Sequence, residues 1–152
     1  MAPVLIDTNL LVLFIVGATD TSLINGHKRL TQFSTKDFYN LNEYVGQYPS
    51  IATTPHVLAE TSNFLLDTKL SFREEVMAYF KVFVHGILER HIPSNKVVQS
   101  IAFSRLGVAD SGLLSDEFTN CVLLTDDGKL HTEALRLKRH ATHFNELREI
   151  QL

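Results

Sequence analysis

The chain has 152 residues, 45% of them hydrophobic and 20% charged, and a formal net charge of -3 at pH 7. That length and apolar content suit one ordinary domain, residues 1–152, with a substantial buried core, and the charge offers no global basic field for holding a polyanion. The one cysteine, Cys121, lies in an apolar run and cannot form an intrachain disulfide, which points to a reducing, cytoplasmic compartment.

In chain order the pattern alternates strands and helices. Residues 3–7, "PVLID", are a short apolar run suited to a buried strand, and an apolar helical stretch follows from Asn9 to Val16. Asp7 interrupts the first apolar stretch, no positive segment precedes it, and the longest apolar or glycine run, Leu10 to Ala18, is too short to span a bilayer. Neither export nor membrane insertion is expected. Residues 17–34 contain Gly17, Asp20, Thr21, Ser22 and Gly26 and read as loop with a short helical piece. Thr35 is placed to cap a helix carrying Phe38, Leu41, Val45 and Tyr48, which Pro49 breaks.

Residues 50–54, "SIATT", read as a second strand, and Thr54 before Pro55 is a helix start with proline at the first helical position. That helix puts Val57, Leu58, Thr61, Phe64 and Leu65 on one face, with Glu60 flanking it. Ser71 and Glu74 have capping-box spacing ahead of a long helix whose apolar stripe, Phe72 to Leu88, reads as core. Ser94 is placed to cap a helix that carries Val97, Val98, Ile101 and Leu106 and stops at Gly107. Asp110 is then a plausible N-cap for the next, "CVLLT" (121–125) a third strand, Leu130 to Arg139 a helix and residues 141–145 an edge strand. Strands separated by helices predict an α/β fold, a three-layer α/β/α arrangement around a central parallel sheet. In such sheets ligands bind beyond the carboxyl ends of the strands.

The acidic residues gather at that rim. Asp7 ends the first strand and Asp126 and Asp127 follow the third; Glu60 sits one to two turns into the helix after the second, and Asp110 opens the helix before the third. Clustered carboxylates repel and raise one another's pKa unless a cation neutralises them. Oxygen ligands without paired His or Cys favour Mg2+ or Mn2+ over zinc, and His56 and His85 have no metal-spaced partner. Magnesium held by a few carboxylates goes with substrates that bring phosphate oxygens, so the expected chemistry is phosphodiester hydrolysis. Taken singly each acid is ordinary, a strand-end cap, a helix-surface charge or an N-cap. Their order at strand ends carries the reading.

At these residues the chain resembles the PIN-domain nucleases. The resemblance lies in "VLIDTNLLV", "SIATTPHVLAE", "RLGVADSGLL" and "VLLTDDGKL" and covers most of the chain. It implies a PIN-like fold and a metal-dependent endoribonuclease, acting on RNA and leaving 5'-phosphate and 3'-hydroxyl ends, with Asp7, Glu60, Asp110 and Asp127 as the catalytic, metal-binding acids. The family's last motif is threonine, any residue, aspartate, which selects Asp127; Asp126 falls at the variable position and reads as a charge facing water in preference to an outer ligand. Thr8, Asn9, Ser111 and Thr125 are implied as groups that orient the acids and a water.

The stretch between Asp7 and Glu60 is longer than in the compact toxins of toxin-antitoxin pairs, the excess falling in residues 17–48, so the toxin role is the least supported part of the resemblance. An antitoxin-like protein partner and a homodimer belong to the same family expectations. Residues 129–143 carry Lys129, Arg136, Lys138 and Arg139 against Glu133 alone, a solvated helix face that becomes a phosphate-holding surface, through Lys129, Arg136 and Arg139, beside an acidic site. Two alternatives stand against the nuclease. An aspartyl phosphatase would need a second aspartate where Asn9 stands, and a catalytically silent PIN-like module for RNA or protein would ordinarily have lost an acid. No glycine-rich turn follows the first strand, which excludes a P-loop or dinucleotide site.

Overall fold

The computed structural model describes residues 2–150. Five short strands, β1 (Val4–Ile6), β2 (Ile51–Thr53), β3 (Leu88–Glu89), β4 (Val122–Thr125) and β5 (His140–His143), form one parallel sheet in the order β3-β2-β1-β4-β5. The helices are α1 (Thr8–Thr19), α2 (Thr35–Val45), α3 (Pro55–Leu65), α4 (Leu70–His85), α5 (Ser94–Val97), α6 (Phe103–Leu113), α7 (Gly128–Arg136) and α8 (Phe144–Ile150). β1 and β2 are buried along their whole length and β4 nearly so, as strands covered on both faces must be.

The chain steps outward from β1 to β2 to β3 through α1 to α4, crosses back through α5 and α6 to β4 on the other side of β1, and reaches β5 through α7. Right-handed crossovers in opposite directions put the two helix groups on opposite faces of the sheet. α1 packs against α2, α3 and α4, and α6 against α5 and α7, while α3 and α6 also meet each other. The direction of travel reverses between β1 and β4, so the segments that leave their carboxyl ends diverge around a crevice.

Several elements depart from the sequence expectation. The cap of α2 is Ser34, not Thr35: Ser34 Oγ accepts from Asp37 N at 3.2 Å and the Asp37 carboxylate accepts from Ser34 N at 3.0 Å, a closed capping box. The box expected at Ser71 and Glu74 does not form, because the first turn already closes from Phe72 N to Lys69 O and α4 begins at Leu70. α4 stops before Gly86, and Leu88, expected at the end of its apolar stripe, belongs to the edge strand β3. Only Val76 and Phe83 of α4 are fully buried, while Leu70 and Val82 face solvent.

Gly107 ends a helical segment as expected, in a conformation (φ 81°, ψ 178°) open only to glycine, but α6 resumes at once. Asp110 therefore sits inside a helix instead of capping one. α7 starts earlier than expected, at Gly128, and Phe144, expected in the last strand, instead opens α8 and is buried.

α1 is apolar almost all round because it is enclosed almost all round. Its close approach to α2 requires Gly17, where a Cβ would run into the Phe38 ring. Gly17→Ala is expected to destabilise by about 1–3 kcal/mol through overpacking, read as a lower urea midpoint. Gly86→Ala, whose Cβ would lie 3.7 Å from its nearest neighbour, is expected to leave that midpoint nearly unchanged.

Candidate active site

The carboxyl ends of β1 and β4 are joined by one hydroxyl. Asp7 is the N-cap of α1, where its Oδ1 accepts from Leu10 N at 3.2 Å. Its Oδ2 accepts from the Thr125 hydroxyl, at the end of β4, and from Asp126 N at 3.2 Å. Thr125 Oγ1 accepts in turn from Asp127 N at 2.9 Å. The register of β1 on β4, with Ile6 opposite Leu124, is what sets Asp7 level with this threonine. Both residues are buried.

Burial, first, and the neighbouring charges of Asp126 and then Asp110 push the Asp7 carboxyl well above the usual carboxylate range, against the lowering effect of its bonds to Thr125 and Leu10. The same combination acts on Asp110, where burial and then the charges of Asp127, Glu60 and Asp126 push the carboxyl up to about 7. Asp110 thus lies in the fields of Glu60, Asp126 and Asp127, and Asp7 in those of Asp126 and Asp110, the five acids being carried by the ends of β1 and β4 and by α3 and α6. They do not form a closed cage: among the described residues, no group of three His, Cys, Asp or Glu is placed to hold one metal ion.

The neighbouring aspartates have different surroundings. Asp127 is the N-cap of α7, its Oδ1 accepting from Lys129 N at 2.8 Å and Leu130 N at 3.2 Å. Asp126 does not face water as expected. It is half-buried, its Oδ2 accepts from Gln32 Nε2 at 3.2 Å, and its Oδ1 is buried without a hydrogen-bond partner. Thr8 Oγ1, next to Asp7, is another buried oxygen without a partner. Carboxyls whose ionisation is opposed by one another's charge, together with partnerless buried oxygens, are a donor set that fits a hard divalent cation.

The remaining expected residues divide. Asn9 stays with the site in the first turn of α1. Ser111 is buried and its Oγ has no partner, but it lines a separate cavity of about 320 Å3 with Ile92, Val97 and Leu114. Lys129 is exposed beside Asp127. Arg136 lies in the last turn of α7, where its Nε donates to Glu133 Oε1 at 2.9 Å. Arg139 precedes β5, at the amino end of the strands and so opposite the rim that carries the acids, and donates to the Leu114 and Ser115 carbonyls and to Asp116 Oδ1. Its place is structural, not at the rim.

Two residues beside the site were not foreseen, Gln32 and Arg105. Gln32 arrives from the long segment before Glu60, in a stretch that reads as loop. Arg105 lines the surface next to Asp127; it opens the stretch "RLGVADSGLL", in which the expected site residues are Asp110 and Ser111.

No protein-family model and no curated protein matches the chain.

In chelator, the raised Asp110 carboxyl makes the folded state hold a proton that the unfolded chain, with its ordinary aspartate near 3.9, has already released. Stability is therefore expected to fall as pH rises from about 4 to about 7. Asp110→Asn is expected to raise stability at pH 8 by on the order of 2–4 kcal/mol and to change it little at pH 3, which thermal melts across pH would read.

Proposed function

We propose that the protein is a metal-dependent endoribonuclease of the kind that the PIN resemblance implies. The observation that supports this reading is the convergence, at the sheet's switch point, of carboxylates that raise one another's pKa through burial and mutual repulsion. Structural carboxylates are ordinarily paired with cations, as Asp37 is with Arg148; these face one another instead.

Asp7, Glu60, Asp110 and Asp127 would hold the ion, with the free Oδ1 of Asp126 as a further oxygen. A bound magnesium or manganese ion supplies the counter-charge that lets these acids ionise together and the Lewis acidity that activates a water and stabilises charge on the phosphate. Thr125 and the Asp126 N–H fix Asp7 Oδ2, while Leu10 N fixes Oδ1, so this carboxylate is oriented before any ligand arrives. Helix α7 does the same for Asp127 through Lys129 N and Leu130 N. Hydrolysis adds the water hydroxyl to phosphorus, breaks the bond to the 3'-oxygen and returns the proton to that oxygen, leaving a 5'-phosphate and a 3'-hydroxyl.

The test is cleavage of a mixed pool of single-stranded and structured RNA in magnesium, in manganese and in chelator. Cleavage is expected only with metal, and Asp7→Asn is expected to lower it beyond the roughly 10–100-fold that disturbing an outer partner of a metal ligand produces. Cleavage unaffected by chelator or by Asp7→Asn overturns the reading, and RNA binding without metal-dependent cleavage assigns the silent module instead. Asp127→Asn is expected to cost more activity than Asp126→Asn, whose own loss should fall in that 10–100-fold range; the opposite order would exchange their roles.

A further inference from the structure

Beside Asp127 the surface opens into a cleft of about 790 Å3 lined by Arg105, Asp127, Gly128, Lys129, Thr132 and Glu133, a size within the roughly 300–1,000 Å3 of ordinary ligand sites. Its head belongs to the acidic cluster and its walls carry the cations Arg105 and Lys129. Glu133 in this cleft is buried, and two arginines hold it: Arg136 Nε donates to Oε1 at 2.9 Å and Arg105 Nη2 donates to Oε2 at 3.1 Å. Arg136 first and Arg105 after it keep the Glu133 carboxyl below its usual range, so it is ionised at neutral pH and the trio retains a net positive charge.

Arg105 is unlike an ordinary surface arginine. Its side chain is 59% exposed, yet a buried carboxylate fixes one edge of its guanidinium, and among the described residues its other guanidinium N–H groups have no protein partner. A fork held in one orientation loses less rotamer freedom when it grips a planar or tetrahedral oxyanion. The cleft adjoins Asp127 and so lies within reach of a phosphate next to one presented to the acids. With the whole chain at -3, the attraction is local to the cleft, not a property of the molecule.

We propose that the cleft seats the phosphate adjacent to the scissile one on a single RNA strand, with Arg105 gripping it, Lys129 adding a point charge and Glu133 acting as the positioning residue that fixes Arg105. The proposal takes the identity of the strand from the nuclease reading and otherwise stands on the cleft alone. Arg136, expected as a phosphate contact in its own right, acts here through Glu133.

The experiment measures binding of a short fluorescent single-stranded RNA by anisotropy across salt, in an Asp7→Asn background that prevents turnover. Arg105→Ala is expected to weaken binding about 10-fold, equivalent to about 1.4 kcal/mol, and to reduce the log–log salt slope by about 0.7. Arg105→Lys should restore the slope and only part of the affinity. Arg29→Ala, which removes a cation paired with Asp67 outside the cleft, should change neither. Glu133→Gln separates positioning from bulk charge: it makes the protein more positive, so a purely electrostatic surface would bind more tightly, whereas a lost positioning residue weakens binding in a protein whose melt is still cooperative. Tighter binding by Glu133→Gln, binding by Arg105→Ala equal to that of Arg29→Ala, or no binding by the parent protein overturns the proposal. Metal-dependent cleavage with Arg105-independent binding would sink the cleft and leave the nuclease. Arg105-dependent binding by a chain that never cleaves would do the reverse.

Discussion

The bond between the Thr125 hydroxyl and the Asp7 carboxylate ties together everything at the rim. A threonine hydroxyl can donate to a carboxylate and accept from an amide N–H at once, and Thr125 does both, toward Asp7 Oδ2 and from Asp127 N. Valine would fill the same volume and do neither. Through this one oxygen the end of β1, the end of β4 and the start of α7 are held in a fixed relation. The adjacent aspartates follow from the same geometry, since the turn that delivers the Asp126 N–H to Asp7 also places Asp127 to cap α7.

This arrangement works against the fold's own stability. A carboxylate buried at 3% exposure beside others of its sign is the sort of group a core excludes, and among the described residues Asp7 has no arginine or lysine partner to offset it. The apolar mass around it makes the arrangement tolerable: β1 and most of α1 are fully buried, and helices of both layers pack around them. Local destabilisation supported by a large surrounding core is the usual balance at sites whose geometry serves chemistry.

The parallel α/β architecture was legible from three apolar runs and the helices between them, because a strand buried on both faces leaves an unmistakable stretch such as "VLI" or "VLLT". One edge, β5, was legible in residues 141–145; the other was not. β3 is two exposed residues long, and Leu88 and Glu89 are strand only because the backbone of β2 lies beside them. The caps of α3 and α2 were read correctly at Thr54 and one residue late at Ser34, where serine and threonine in tandem give the same signal, whereas Ser71, Ser94 and Asp110 do not cap helices. At the site, carboxylates at strand ends could be placed from sequence because the sheet rim is fixed by topology. Arginines could not. A long side chain reaches its partner through tertiary contacts that spacing does not encode, so Arg139, which is pinned to backbone carbonyls, and Arg105, which lines the cleft, exchanged the places expected of them. Gln32 was invisible for the same reason, its partner lying 94 positions away.

The hydrogen bond from Thr125 to Asp7 spans 118 positions, and β1 occupies the middle of the sheet although it comes first in the chain. As the chain emerges during synthesis, β1 can recruit β2 and β3 on one side early, while its other edge waits for β4, and closing so long a loop is among the slow events of folding. A nascent chain that has reached only β3 already carries Asp7 and Glu60 but not the other acids of the cluster. The acidic cluster is therefore complete only once the chain has been made through Asp127, so a shorter nascent chain carries the first acids without the geometry that joins them.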